Sequence, residues 1–371
     1  MKVLFVITKA DEIGGAQIHI RDLSTRLIKD ECEVEVIVGE DGALVSELAN
    51  RNIPVHIVPT LVRNIDPIKD FKAILSIRAL IKELKPDLIS LHSSKAGIVG
   101  RLAAALTKVP VIFTAHGWAF ANGVGKKQQQ LYIFIEKMMA PLAKKIITVS
   151  KQDKELALKY NVASHEKQVV IHNGMPELDS NTKEKGLTLN KNKTINMISV
   201  ARFSEQKDHK TLFLALSELT DLDWRLQLVG KGPLLEQYQQ LAAELGIAKR
   251  IEFMGERHDV AQLLSNSDIF LLISNWEGFP RSILEAMRAG ISVIASDVGG
   301  SSESIIDNET GFLIKRGDVR MLKDKIRYLI ENPNLREQLG AAGYARYKAN
   351  FTFEAMYTKT KALYASLLIP H

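Results

Sequence analysis

The chain has almost no cysteine: Cys32 is the single one in 371 residues. One thiol can close no intrachain disulfide and cannot supply a cysteine-based zinc site, and it suits a reducing cytoplasm. Proline (11) and glycine (23) are too scarce for a collagen-like or low-complexity chain. Long apolar runs are missing too. Residues 3–7 (VLFVI) are too few for a signal-peptide core and soon meet Lys9, Asp11 and Glu12, while 98–106 is broken by Arg101. No spanning helix is expected, which leaves a cytoplasmic protein with room for peripheral contact at the inner face of the plasma membrane. What is present, 46% apolar and 25% charged residues, is the composition of a folded protein. At roughly 150 residues per domain, the length suits two domains.

The net charge of +6 is unevenly spread. Residues 1–70 hold 8 Lys/Arg against 12 Asp/Glu, residues 71–151 hold 13 against 3, and residues 152–371 hold 28 of each. All the positive excess therefore sits in 71–151. Such a segment suits phosphates, nucleic acid or an anionic membrane face, and equally an ordinary solvated surface.

Short β-branched runs alternate with helical patterns from 3–7 onward, through 34–38, 55–58, 87–91, 111–114, 146–149 and 169–171. That alternation predicts an α/β domain with a parallel sheet covered on both faces. Asn173 and Gly174 end it, and 175–193, polar and without apolar period, reads as a linker. A second α/β set starts at 195–200 and runs through strands at 225–229, 251–254, 269–273 and 292–295. The boundaries expected are 1–174, a linker over 175–193, 194–352, and a helical segment over 353–371 able to pack on either domain. Two doubly wound domains facing across a cleft would take ligands at the carboxyl ends of their strands.

Several residues fall at those strand ends. Gly14 and Gly15 lie between the first strand and its helix, where a glycine turn admits a phosphate or simply makes a tight turn. His116, in T-A-H-G-W, follows a strand; it can polarise a ligand oxygen, or be satisfied by local backbone, and His92 at another strand end is a weaker candidate. Arg202 and Lys207 share one strand–helix connection and can clamp adjacent phosphates, though cations are common in loops. Asp208 is placed to cap the following helix. Glu277, in W-E-G-F-P, precedes a helix containing Glu285. One carboxylate can bind ribose hydroxyls and the other sugar hydroxyls, with free helix-start N–H groups for a diphosphate; paired glutamates also suit acid/base hydrolysis, and spacing alone does not separate the two. Asp221 and Asp223 match a D-x-D metal pattern but read as a surface turn. The lysine pairs at 126–127 and 144–145 come without a stacking platform or nucleic-acid motif, so no nucleic-acid partner is expected.

Taken together these motifs resemble a retaining glycosyltransferase of the GT-B fold, glycosyltransferase family 4. The matching pieces are Gly14-Gly15, His116 in T-x-H-G, VIHNG at 170–174, Arg202 with Lys207, LVGKGP at 228–233, FMG at 253–255, Glu277-x7-Glu285 within E-G-F-P-x4-E-A-M, and DVGG at 297–300. They run in family order over nearly the whole chain. The resemblance implies an enzyme that moves a sugar from a nucleotide-sugar donor, UDP favoured, to a glycan or lipid-linked acceptor in bacterial surface polysaccharide assembly. It implies no metal and no cofactor. Arg202 and Lys207 would neutralise the donor diphosphate, with Gly15 approaching it from the first domain. Glu285 would hold the ribose, and Glu277 with Gly278, Phe279 and Pro280 the transferred sugar and phosphate. Phe253, Gly255 and Arg257 would read the nucleobase beside the Gly230 loop, and His116 would orient the sugar and acceptor. Lys231 stands where an acidic residue is common in the family. The basic 71–151 segment would face an anionic membrane, with the apolar residues of 129–143 making shallow contact or forming core. Two alternatives remain: a GT-B nucleotide-sugar epimerase, and a non-enzymatic polyanion-binding protein.

Overall fold

Thirteen short strands, mostly β-branched or aliphatic, form two parallel sheets in the computed structural model, which describes residues 1–11, 13–121, 123–177 and 194–368. The first sheet comprises β1 (Lys2–Ile7), β2 (Glu33–Val38), β3 (Val55–Ile57), β4 (Leu88–His92), β5 (Val111–Ala115), β6 (Lys145–Thr148) and β7 (Gln168–Val170), in the order β3-β2-β1-β4-β5-β6-β7. The second comprises β8 (Ile195–Val200), β9 (Trp224–Val229), β10 (Ile251–Gly255), β11 (Ile269–Leu272), β12 (Ser292–Ser296) and β13 (Phe312–Ile314), in the order β10-β9-β8-β11-β12-β13. Both are doubly wound. Such sheets reverse direction between the first strand and the fourth, and loops leaving that point diverge to open a ligand site. Here those points are β1/β4 and β8/β11.

The chain divides into two compact units, Met1–Asn173 with Met356–His371, and Gly174–Ala355. Each has its own core. In the first, Val6, Ile37, Ile89, Leu91 and Phe113 are closed over by Ile77, Val99 and Trp118, whose indole N–H donates to the Asp153 carbonyl at 2.8 Å. The helix Ser94–Ala104 lies unusually close to the sheet: a Cβ on Gly97 would sit 2.6 Å from the Phe113 ring, and one on Gly100 2.5 Å from Leu91. In the second, Leu212, Leu216, Trp224, Leu226, Leu271, Ile294 and Leu322 form the core. Full burial of each such side chain contributes about 1.5–3 kcal/mol before chain entropy is counted.

The helix Phe353–Ser366 crosses from one unit to the other, and its residues from Met356 on belong to the first. Tyr357 donates to the Asp30 carboxylate at 2.6 Å, Lys361 and Arg26 pair with the same group, and the Arg26 guanidinium lies 4.5 Å over the Tyr357 ring. These three donors hold the Asp30 carboxyl below the usual range, Lys361 first. Of the expected linker, 178–193 lies outside the described residues. Its first residue, Met175, is buried and pairs with Thr352, its carbonyl accepting from Tyr347 Oη at 3.0 Å. Two elements carry no readable pattern: the three-residue β13, and the helix Pro333–Asn350, whose alanines and glycines blur its apolar face.

Candidate active site

At the β8/β11 switch point, two loops leave adjacent strands and are stitched to each other. The β8 loop carries 201–208 and the β11 loop 273–280. Lys207 and Ser274 form an antiparallel bridge, Asp208 N–H donates to the Ile273 carbonyl at 2.9 Å, and Asn275 N–H to the Gln206 carbonyl at 2.7 Å. The Asn275 side-chain amide reaches the Glu205 carbonyl at 2.9 Å. Asp208 caps the helix His209–Ser217 as expected, accepting from Thr211 N–H at 3.1 Å.

This stitching brings Lys207 and Glu277, 70 residues apart in sequence, into direct contact. The Lys207 ammonium and the Ser274 hydroxyl (2.6 Å) both donate to Glu277 Oε1, and the Gln206 amide reaches Oε2 at 3.3 Å while also donating to the Trp276 carbonyl at 3.0 Å. The two charged side chains are only 13% and 6% exposed, so the pair stands in reduced dielectric. A carboxylate oxygen that already accepts from an ammonium and a hydroxyl has its lone pairs engaged and is poorly placed to attack as a nucleophile. This geometry favours binding over the hydrolytic reading of the paired glutamates.

The loop 297–300 lies across Glu277 and Gly278. Gly300 N–H donates to the Gly278 carbonyl at 2.6 Å, and Gly299 has φ +59°, with a Cβ there falling 2.0 Å from the Glu277 carbonyl. No side chain larger than hydrogen fits. Gly278, Phe279 and Pro280 then lead into the helix Arg281–Ala289, whose cap position, Pro280, has no capping side chain, so the first-turn amides have no side-chain acceptor at that cap. Glu285, one turn on, is partly buried with no hydrogen bond or ion pair among the described residues. Burial pushes its carboxyl above the usual range, against the pull of Arg281 and Arg288.

The β9 loop shapes the position of Arg202. Gly230, at φ +140°, packs so closely that a Cβ would lie 2.2 Å from the Ala201 carbonyl, and its N–H donates to the Gly255 carbonyl at 2.8 Å. Arg202 is exposed above it. Phe253 is half-buried with its ring centroid 5.9 Å from that of Phe203, and Arg257 sits on the rim in a two-pronged pair with Asp259 at 2.8 and 2.7 Å. Lys231 pairs with Glu256 at 2.8 Å. Thus Arg202, Lys207, Gly230, Glu277, Gly278, Phe279 and Pro280 lie in loops that follow strands of the second sheet, Gly255 ends β10, and Glu285 lies on the helix Arg281–Ala289.

In the first sheet, the pairing Ile7↔His92↔Thr114 aligns the ends of β1, β4 and β5. Gly14 caps the helix Gly15–Lys29, and Asp11 is ion-paired with Lys9 at 2.9 Å. His116 follows β5, with Nε2 2.9 Å from His92 Nδ1 and its ring edge-on to His19 at 5.1 Å. Sequence reasoning missed Gln206, Ser274 and His19. Their importance depends on which loops and helix meet, which no local spacing reveals. Asp221 is held two-pronged by Arg327 and Asp223 accepts from Thr194, so both serve the surface turn.

Two family models match: Glycosyltransferase Family 4 over residues 13–177 and Glycosyl transferases group 1 over residues 180–346. The chain is 33% identical over 306 residues, 79% of each protein, to the UDP-Gal:alpha-D-GlcNAc-diphosphoundecaprenol alpha-1,3-galactosyltransferase of Escherichia coli. The chain belongs to glycosyltransferase family 4. The O-antigen biosynthesis glycosyltransferase WbnH of Escherichia coli is 30% identical over 90% of this transferase and 92% of its own length. The crystal structure of Anabaena HepE in complex with UDP and glucose matches this glycosyltransferase with a TM-score of 0.83 at 22% identity, covering 99% of this chain and 100% of HepE. The fold is GT-B, and the glycosyltransferase carries no helix, among the described residues, long and apolar enough to cross a membrane.

Proposed function

We propose that this glycosyltransferase moves a sugar, with retention of anomeric configuration, from a UDP-sugar to a lipid-linked or oligosaccharide acceptor in bacterial surface polysaccharide assembly. The observation that carries the proposal is the Lys207–Glu277 pair fixed at the β8/β11 switch point, on the loop that also carries Arg202. In this reading Lys207 and Arg202 meet the charge that grows on the diphosphate as the C1–O bond breaks. Glu277, with the Gly278 and Phe279 amides, holds the sugar and phosphate, and Glu285 takes the ribose diol. Phe253, Gly255 and Arg257 flank the base. On the first unit, Gly15 approaches the diphosphate and His116 orients the sugar. The acceptor oxygen bonds to C1 on the face the phosphate leaves, and its proton passes to the departing phosphate oxygen. The two named relatives, a UDP-Gal-dependent galactosyltransferase acting on a diphosphoundecaprenol and an O-antigen enzyme, support the donor and acceptor classes.

Because two protein cations take the place of a metal, chelation is expected to leave the rate unchanged. The test is nucleotide release from a panel of UDP-, GDP- and ADP-sugars, with and without bacterial lipid extract, each repeated in EDTA. UDP release that depends on the extract and survives EDTA is the expected result. Donor interconversion without any acceptor would instead identify an epimerase.

The first unit offers an acidic bilayer a mixed surface. On the helix Lys126–Met139, Leu131, Phe134 and Met138 are 48%, 62% and 57% exposed at helical spacing, while Tyr132 and Ile133 pack against the core. Ile68, Phe71 and Leu75 repeat that spacing on Pro67–Leu84. Lys126, Lys127 and Lys137 flank the first stripe, and basic residues near an anionic surface contribute about 1 kcal/mol each. Phosphatidylglycerol vesicles at low salt should therefore sediment the protein and neutral phosphatidylcholine vesicles should not. Serine at positions 131, 134 and 138 together should weaken binding by about tenfold or more. Equal binding to both lipids, or none to either, contradicts membrane docking.

A further inference from the structure

A buried hydrogen-bond chain runs from the C-terminal helix to His116. Tyr364, on the helix Phe353–Ser366, is 0% exposed, and its hydroxyl lies 2.8 Å from Ser90 Oγ on β4. Ser90 Oγ lies 3.0 Å from His92 Nε2, and His92 Nδ1 lies 2.9 Å from His116 Nε2. Ser90 and His92 are also 0% exposed. Among the described residues, Tyr364 Oη bonds to Ser90 alone, Ser90 Oγ to Tyr364 and His92, and the His92 ring to Ser90 and His116.

The direction of the chain follows from proton counting. The buried phenol proton can go only to Ser90 Oγ, so the Ser90 proton must go to His92 Nε2, or be left unbonded in an interior where that is costly. His92 Nε2 then accepts. Burial, reinforced by the neighbouring His116, holds His92 well below the ordinary histidine range, so the ring is neutral and carries its single proton on Nδ1. That proton donates to His116 Nε2.

We infer that Ser90 and His92, anchored by Tyr364, are positioning residues that hold His116 as the neutral Nδ1–H tautomer, a fixed hydrogen-bond donor to the transferred sugar. Protonating His116 on Nε2 would set two N–H groups against each other. His92 would have to switch tautomer, and the Ser90 hydroxyl would lose its acceptor. The chain therefore resists the imidazolium, and His116 stays a donor of one polarity across the working pH range. Among the described residues, the titratable groups seen to face these rings are His19 from the helix Gly15–Lys29, 5.1 Å from the His116 ring and 5.4 Å from that of His92, and Tyr364 through Ser90; Phe5 of β1 covers His92 at 5.6 Å. The inference rests on the placement of His116 at the sugar proposed above.

The test is nitrogen-15 NMR of the histidine rings in the full chain, read against pH beside the kcat–pH profile. In the unaltered protein, His116 should show the Nδ1–H tautomer. Ser90→Ala removes the hydroxyl whose proton enforces the direction. It should give mixed tautomers at His116, raise its midpoint by about 0.5–1 pH unit, and move the acid limb of kcat up equally, with donor KM little changed. Tyr364→Phe leaves the Ser90 proton on His92 and should produce a smaller shift of the same sign. An Nε2–H tautomer in the unaltered protein, or Ser90→Ala signals that do not move, overturns the chain. Ring signals that shift while the kcat profile stays put would uphold the chain and overturn the placement of His116 at the sugar.

Discussion

Lys207→Ala is expected to lower kcat by about 10²–10³-fold, the loss seen when one preorganised donor to a developing oxyanion is removed. The substitution also strands the Glu277 carboxylate, 6% exposed, beside only Ser274 and Gln206, so the fold should lose about 3–5 kcal/mol. These two effects can be separated. The double variant Lys207→Ala/Glu277→Gln removes the uncompensated charge and should recover much of the melting temperature, yet it restores no cation and so no rate. Steady-state kinetics beside thermal melts of both variants provide the check. A double variant that regained activity along with stability would reduce Lys207 to a structural partner of Glu277.

Glu285→Gln should separate stability and function in the opposite direction. The folded-state carboxyl is pushed up by burial, so the folded chain binds its proton more tightly than the unfolded chain does. Its favourable contribution is therefore complete below the unfolded pKa and is lost as pH rises through the raised folded value. Above that raised value the ionised group is a cost to the fold, and the isosteric amide removes that cost. Hydrogen bonds to a charged group contribute about 1.5–3 kcal/mol, so loss of the ribose contact should weaken donor binding by about 10–100-fold. The expected outcome above that value is a higher melting temperature with a larger donor Kd by calorimetry. Donor affinity of the unaltered enzyme should likewise fall on acidification as Glu285 takes up its proton. A variant less stable than the parent, with donor affinity intact, contradicts this assignment.

Both sheets were legible in the amino-acid sequence because parallel strands buried on two faces are near-continuous aliphatic runs, as in VLFVI at 3–7 and IFLL at 269–272. β13 was not, since three residues behind Gly311 hold no period, and neither was the helix Pro333–Asn350. At the site, the loops after β8 and β11 stood out through Arg202, Lys207 and Glu277. Their partners did not. Gln206 and Ser274 are ordinary loop residues until the antiparallel bridge between Lys207 and Ser274 turns them toward one carboxylate. Gly299 shows the same dependence: its need for glycine comes from the Glu277 carbonyl, 22 residues earlier in the chain, and not from its neighbours. His92 was visible only as a strand-end histidine, while its partners Ser90 and Tyr364 lie 274 residues apart and meet only once the C-terminal helix has packed onto the first unit.

A nucleoside diphosphate held at the carboxyl end of the second sheet is tested most directly by a crystal structure with UDP bound. Its phosphates should lie within hydrogen-bonding distance of Lys207, Arg202 and the amides opening the helix Arg281–Ala289, and its ribose on Glu285. UDP seated away from these groups, or absent from the second sheet at saturating concentration, would contradict it.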